Sequence, residues 1–121
     1  MGLFSRNKGK YGERELAREL SRVLGITASR GVQFQGSPDS PDVVTEIPNI
    51  HIECKRTERL QIYDAMQQAI TDAGISKIPV VLHRRNRKEW LVIVRLNDLP
   101  TLVQSLSAIG WSKNASENLE G

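Results

Sequence analysis

The chain has a single cysteine, Cys54, among its 121 residues and no long run of apolar residues. One cysteine excludes an intramolecular disulfide and is typical of proteins from a reducing compartment. Because no apolar run is long enough to cross a bilayer or to act as a signal peptide, we expect a cytoplasmic protein that has no membrane partner. No other residue stands at a metal-ligand spacing from Cys54, which is therefore expected to be a small buried residue.

The chain also has no internal repeat and no composition change that would mark a domain boundary. Its 121 residues suffice for one domain with a single core and leave no room for a separate recognition domain. We predict a domain over residues 10–110, a mobile basic arm over residues 1–9, and a frayed tail over residues 111–121. Any partner must then be recognised by the domain itself or by a second copy of it.

The positive charge is clustered, although the net charge is small. Seventeen Lys and Arg against fourteen Asp and Glu give a net charge of +3 and a pI near 9.3. The basic residues form three groups: Arg6, Lys8, Lys10 and Arg14; Lys55, Arg56 and Arg59; and Arg84, Arg85, Arg87 and Lys88. Such clusters attract polyanions such as nucleic acids. Solvated surface charge is the alternative, but four basic residues within five exceed what solubility requires.

An amphipathic helix is predicted over residues 11–26. Its apolar residues recur at helical spacing, and Gly25 is a suitable stop: Leu16, Ala17, Leu20, Val23 and Leu24. Glu13 falls at the N-terminal end of this apolar stripe and is expected to face inward. An inward carboxylate needs a metal or a cation as its partner. Alternatively, Glu13 is an ordinary carboxylate favoured by the helix dipole.

Two strands, residues 42–46 and 50–55, are predicted to form an antiparallel hairpin around the turn at residues 47–49. Alternation puts two sets of side chains on opposite faces of the second strand: His51, Glu53 and Lys55 on one, and Ile50, Ile52 and Cys54 on the other. Asp42 meets Glu53 and Lys55 only if the register pairs it opposite one of them and not opposite Cys54, and the sequence leaves this register open. We predict that the register is a favourable one and that Asp42, Glu53 and Lys55 converge on one face with Glu13. His51 is expected to be structural.

The remaining elements complete an alternating order. A weak strand is predicted within residues 27–35 and a loop over residues 36–41. A second amphipathic helix runs from Ile62 to about Gly74, and apolar strands over residues 78–83 and 89–96 flank the third basic group. Asp98 is a candidate cap for a last helix that ends near Ile109. The order α, β, β, β, α, β, β, α predicts an α/β fold with a mixed central sheet flanked by helices.

Three segments together resemble the PD-(D/E)XK nuclease superfamily, and within it the archaeal-type Holliday junction resolvases and their phage-encoded relatives. They are the Gly-Lys-Tyr-Gly-Glu-Arg-Glu-Leu stretch at residues 9–16, Pro-Asp-Val-Val at residues 41–44, and Glu-Cys-Lys at residues 53–55. The resemblance covers about Lys8 to Leu99 and implies a restriction-endonuclease-like fold with an αβββαβ core. Asp39 also follows a proline. Asp42 is preferred because it leads directly into an apolar run.

The resemblance implies a metal-dependent active site. Its catalytic residues would be Glu13, Asp42, Glu53 and Lys55. The metal would be held by the Asp42, Glu53 and Glu13 side chains and by the backbone carbonyl of Cys54. Hard oxygen ligands favour Mg²⁺, and Mn²⁺ can substitute for it. Lys55 would orient the attacking water or offset charge on the phosphate; the alternative is a surface ion pair with Glu53.

The expected partner is branched DNA, most specifically a four-way junction, cut by a homodimer in a prokaryotic or phage-infected cell. Candidate DNA contacts are the basic residues Lys8, Lys10, Arg14, Arg30, Arg56, Arg84, Arg85, Arg87 and Lys88. Gln68, or its neighbour Gln67, is a candidate helper on the second helix, and Ser37 is a candidate phosphate contact. The alternatives are a flap, replication-fork or single-strand nuclease, and a nucleic-acid-binding module without catalysis.

Overall fold

The computed structural model describes residues 2–31 and 41–111, with side chains described from residue 9 onward. These ranges contain three α-helices, five strands and one 3₁₀ turn. In chain order they are α1 (Gly2–Leu24), β1 (Ala28–Arg30), β2 (Val43–Thr45), β3 (Ile50–Arg56), α2 (Ile62–Ala73), β4 (Ile78–Arg84), β5 (Leu91–Ile93), the 3₁₀ turn (Leu96–Asp98) and α3 (Leu99–Ala108). The predicted order of elements and the α/β fold class are confirmed.

The five strands form one mixed sheet in the order β1-β2-β3-β4-β5. All neighbours are antiparallel except β3 and β4, which run parallel and are joined by helix α2. Lys55 of β3 lies beside His83 of β4, and Arg56 lies beside Arg84. The carboxyl ends of β3 and β4 therefore meet at one edge of the sheet. The turn that follows β4 begins at this edge, and we call it the basic turn because it carries Arg85, Arg87 and Lys88.

Both faces of β3 are covered by helices. On one face Leu16 and Ala17 of α1 pack with Ile52 and other aliphatic residues of the sheet. On the other face Ala69 and its neighbours in α2 pack on Val81 of β4. The predicted alternation along β3 is confirmed, but its polar face is buried beneath α2, so that His51 is 1% exposed and Glu53 4% exposed.

Helix α1 is longer than predicted. It begins at Gly2 and ends at Leu24, and Gly25 follows with a φ of 66°, donating its N–H to the Ser21 carbonyl at 2.9 Å. Residues 2–9, predicted as an arm, thus belong to the helix, while the domain boundaries at residues 9 and 110 stay a prediction. In the described ranges, no helix combines the length and the apolar character that crossing a membrane requires.

Two further boundaries differ from the prediction. Strand β5 spans only residues 91–93, within the predicted 89–96. Asp98 stands at the start of α3, but its carboxylate accepts a hydrogen bond from Arg95 Nε at 2.8 Å and caps no backbone N–H. An aspartate at a helix start can pair with a nearby guanidinium group instead of accepting a hydrogen bond from the helix backbone.

Gly12 sets how closely α1 approaches β3. A Cβ atom at this position would lie 2.6 Å from the Cβ of Arg56 and 3.7 Å from the Sγ of Cys54. Gly9, one turn earlier in the same helix, has no atom within 4 Å of such a Cβ. The missing side chain at Gly12 therefore lets the helix backbone rest on β3, and Glu13 follows directly on this contact.

We predict opposite effects for the same substitution at these two glycines. Gly12→Ala should lower the free energy of unfolding by about 1–3 kcal/mol, because the added methyl group overlaps the Arg56 side chain at its rigid base. Gly9→Ala should raise it by about 0.5–1 kcal/mol, because alanine favours the helix and meets no neighbour. Chemical denaturation of both variants measures these values, and equal effects would show that α1 does not contact β3 closely.

Candidate active site

Asp42 lies at an irregular point of the sheet, where β2 begins. The register pairs Val43 with Ile52, and the N–H of Asp42 also donates to the Ile52 carbonyl at 2.9 Å. Two consecutive residues therefore oppose one residue of β3, which is the pattern of a β-bulge. Asp42 thus stands opposite Ile52, and the pairing with Glu53 or Lys55 on which the predicted site depended is not observed. The Asp42 carboxylate is nevertheless close to Glu53.

The Asp42 carboxylate is partly buried against β3. Its Oδ2 accepts a hydrogen bond from the backbone N–H of Cys54 at 2.7 Å. The pKa of Asp42 is raised from its ordinary 3.8 to about 6. Burial is the largest cause; the negative charge of Glu53 and a hydrogen bond shared with Glu53 also raise this pKa, whereas the Cys54 N–H and the Lys55 charge lower it. The two carboxylates thus lie close enough together for the charge of Glu53 to disfavour ionisation of Asp42.

Glu53 is held from the α2 side of the sheet. Its Oε1 lies 2.9 Å from the Nε2 of His51, which is two residues earlier on the same face. Asp72 of α2 brings a carboxylate oxygen into the same neighbourhood, since ligand atoms of His51, Glu53 and Asp72 all lie within 4.8 Å of one another. The sequence reasoning missed Asp72, and the only signal for His51 was its position on the Glu53 face.

Lys55 leaves the buried part of β3 two residues after Glu53. Its Nζ donates a hydrogen bond to the Oε1 of Gln68 at 2.8 Å. Gln68 is thus placed beside the predicted site, as expected of the helper residue, whereas its neighbour Gln67 accepts a hydrogen bond from Thr71 only through its backbone carbonyl. The catalytic roles of Lys55 and Gln68 stay predictions.

Glu13 reaches the site from the other side of the sheet. It lies on α1, whose apolar residues pack against the face of β3 that bears Ile52, and its Oε2 lies 2.8 Å from the Nε of Arg30. The predicted common face with Glu53 and Lys55 is therefore wrong, because alternation puts those two under α2. Burial raises the pKa of Glu13, the hydrogen bond from Arg30 lowers it, and the Asp42 charge raises it.

Cys54 points toward the α1 side, among carboxylates. The pKa of its thiol is raised to about 12, mainly by burial; the charges of Asp42, Glu13 and Glu15 also raise it, and the charge of Lys55 lowers it. In the metal-free protein the thiol is therefore protonated at neutral pH, which argues against a thiolate nucleophile. The predicted contribution of Cys54 to a metal site is through its backbone carbonyl, and it stays a prediction.

The candidate DNA contacts divide into two groups. Arg30 pairs with Glu13, and both Arg56 and Arg84 pair with Glu15 at 3.3 and 2.5 Å, so that these guanidinium groups also hold α1 to the sheet. The others are exposed: Lys10, Arg14, Arg85, Arg87 and Lys88. The side chain of Lys8, Ser37 and the alternative Asp39 lie outside the part of the chain that is described.

The residues present fit a divalent cation. Asp42 and Glu53 offer hard carboxylate oxygens in a water-poor position, and the raised pKa of Asp42 marks a place where a nearby positive charge would favour the ionised carboxylate. Asp42 and Glu53 are thus the residues that would hold the cation, with Glu13 close to Asp42.

The comparison with protein families matches the chain to the family described as "Phage putative PDDEXK endonuclease" over residues 4–118. The match covers nearly the whole chain, and the protein belongs to this family. Neither the search of curated proteins nor the search of solved structures returned a match. The resemblance to the PD-(D/E)XK nucleases is therefore confirmed at the level of the superfamily and its phage branch.

The raised pKa of Asp42 predicts a stability that depends on pH. In the metal-free protein the folded state binds the Asp42 proton more tightly than the unfolded chain, so stability is lost as the pH rises from about 4 through 6. Because a rise from 3.8 to about 6 corresponds to about 3 kcal/mol, Asp42→Asn should stabilise the fold by that order at pH 8 and much less at pH 4.5.

Denaturation of wild type and Asp42→Asn in EDTA at the two pH values measures this difference. Groups other than Asp42 titrate in both proteins, so that their contributions largely cancel. Added Mg²⁺ should raise the melting temperature of the wild type more than that of Asp42→Asn. A stability difference that is the same at both pH values would show that the Asp42 carboxylate is freely hydrated.

Proposed function

We propose that this endonuclease family member is a Mg²⁺-dependent, structure-selective DNA endonuclease that resolves four-way junctions as a homodimer. The observation that carries the hydrolytic part is the pair of neighbouring carboxylates, Asp42 and Glu53, with Lys55 two residues after Glu53 on the same face of β3. The proposed DNA contacts are supported by exposed basic residues at the carboxyl ends of β3 and β4. The proposed homodimer is supported by exposed apolar residues near the edge strand β5.

The two carboxylates would hold the cation, and Lys55 would act beside it. When bound, Mg²⁺ or Mn²⁺ supplies Lewis acidity to a phosphoryl oxygen and lowers the pKa of a water molecule. Asp42 is fixed for this by the Cys54 N–H. Lys55, oriented by Gln68, presents its ammonium group where negative charge develops on the phosphate.

The basic turn stands at the same edge of the sheet as Lys55. Arg85, Arg87 and Lys88 follow the end of β4, which lies beside the end of β3. They also line a surface cleft of about 390 Å³ together with His83 and Arg84. Exposed basic groups at this edge suit contacts with the DNA backbone, which position a nuclease without reading bases. Selection by DNA shape over sequence follows from such contacts.

Exposed apolar residues near the β5 edge support the homodimer. Leu91 and Val92 of this edge strand are 58% and 60% exposed, and Leu96 and Val103 beyond it are 80% and 54% exposed. An edge strand with apolar side chains attracts another chain unless it is covered. A two-fold dimer would present two identical sites to the two like-oriented strands of a junction and so pair the nicks.

We predict that the wild type cuts a four-way junction by paired nicks with Mg²⁺, and that Asp42→Asn and Glu53→Gln abolish cleavage. Both variants should bind the junction as tightly as wild type or more tightly, because they remove ligand charge and no phosphate contact. Gel assays of cleavage and binding on junction, flap, fork, single strand and linear duplex measure this, with sedimentation giving the stoichiometry of the complex.

Asp64→Asn is the matched control, since it removes one exposed carboxylate from the first turn of α2. It should retain full cleavage. Loss of binding together with cleavage in the Asp42 and Glu53 variants would argue for a role in folding. Equal cleavage of all the DNA forms, or a monomer on DNA, would favour a general nuclease instead of a junction resolvase.

The basic turn predicts a change in salt dependence. Replacing Arg85, Arg87 and Lys88 with glutamine should weaken binding to every DNA sequence alike, and the slope of log K against log salt should fall by at most about 0.9 per lost contact. Lys77→Gln is the control, because Lys77 precedes β4 and lies at the opposite end of that strand. An unchanged slope in the triple variant would place the DNA elsewhere.

A further inference from the structure

His51, which is buried, and Asp72, which is half-buried, lie close to Glu53, and none of the proposed catalytic steps uses them. We propose that these two residues are positioning residues, which fix the Glu53 carboxylate so that its second oxygen faces Asp42 and the cation. The inference rests on the proposed function, because it assigns how one of its ligands is oriented. It concerns residues that touch neither DNA nor the reacting phosphate.

The contact between His51 and Glu53 is direct and shielded from water. The Nε2 to Oε1 distance is 2.9 Å, and the two side chains are 1% and 5% exposed. An ionised carboxylate can only accept hydrogen bonds, so Nε2 carries the proton and donates it to Oε1. One oxygen of Glu53 is therefore occupied by His51, and Oε2 is the atom left to take part in the shared hydrogen bond with Asp42 or to bind a cation.

Asp72 brings a carboxylate of helix α2 close to the pair formed by His51 and Glu53. It lies one helical turn after Ala69, which is fully buried against the sheet, and next to the buried Ala73. Its carboxylate oxygen comes within 4.8 Å of the ligand atoms of both His51 and Glu53. A second carboxylate this close to Glu53 is unfavourable unless a donor such as His51 interacts with it, and the contact would restrain the orientation of the His51 ring.

The expected consequence is a change in metal affinity. A glutamate side chain has three rotatable bonds, and without His51 its carboxylate must be ordered when the cation binds. Loss of a hydrogen-bond partner behind a metal ligand weakens metal binding by about 10- to 100-fold. The effect should appear in binding to the DNA-free protein and as a higher metal requirement for cleavage, with little change in the rate at saturating metal.

The test uses His51→Leu and His51→Gln in the full chain. Leucine keeps the buried volume and removes the donor, whereas the side-chain amide of glutamine can place an N–H near the position of Nε2. Calorimetry with Mn²⁺ on DNA-free protein should show about 10- to 100-fold weaker binding for His51→Leu and substantial recovery for His51→Gln. Asp72→Asn, in a half-buried position that tolerates the amide, should bind Mn²⁺ several-fold more weakly than the control Asp64→Asn.

Three outcomes would overturn the inference. Unchanged Mn²⁺ affinity in His51→Leu and Asp72→Asn would leave these residues without a positioning role. Equal weakening in His51→Leu and His51→Gln would indicate that only the packing of the imidazole matters. A ¹⁴N coupling to bound Mn²⁺ in pulsed EPR of the wild type, lost in His51→Gln, would make His51 a direct ligand.

Failure of the proposed function would give an experimental result different from failure of this inference alone. A wild-type protein that neither binds Mn²⁺ nor cuts DNA would remove the proposed function, and this inference with it. A wild type that binds Mn²⁺ and cuts, with His51 variants that match it in metal affinity, would remove the inference alone.

Discussion

The structure depends on keeping two carboxylates at the centre of a sheet that excludes water. Glu53 lies on β3, which has a helix on each face, and Asp42 reaches it through the bulge at the start of β2. Burial, together with the repulsion between them, raises the pKa of Asp42 and lowers the stability of the metal-free fold. The packing of α1 and α2 must offset this loss of stability, which arises in the same region that would bind a cation.

Much of the fold was predictable because its signals are local. The alternation in residues 50–55 placed Ile52 and Glu53 on opposite faces, and the helical spacing around Leu16 identified the inner face of α1. Gly25 ended that helix as expected. The position of Asp42 was not predictable, since a bulge depends on how β2 and β3 pair and leaves no signal in the alternation of a strand of three residues.

The site itself was predictable in part, for a related reason. Asp42, Glu53 and Lys55 came from the order of short motifs, and the family match supports that reading at the level of the superfamily. Glu13 was placed on the wrong face because helical periodicity identifies an inward side chain but not the layer of the fold into which it points. Asp72 was missed because its neighbours His51 and Glu53 lie about twenty residues earlier, and only the packing of α2 on the sheet joins them.

The turn after β4 is tied to the segment after β3 by two hydrogen bonds. Asn86 accepts one from Arg56 at 3.0 Å, and its backbone N–H donates the other to Glu58 at 2.7 Å. These hydrogen bonds link the turn to the end of β3. If the proposed DNA contacts are made through this turn, the distance from those phosphates to the Lys55 end of β3 would be set by the fold, and bending of the DNA would have to supply whatever adjustment binding requires.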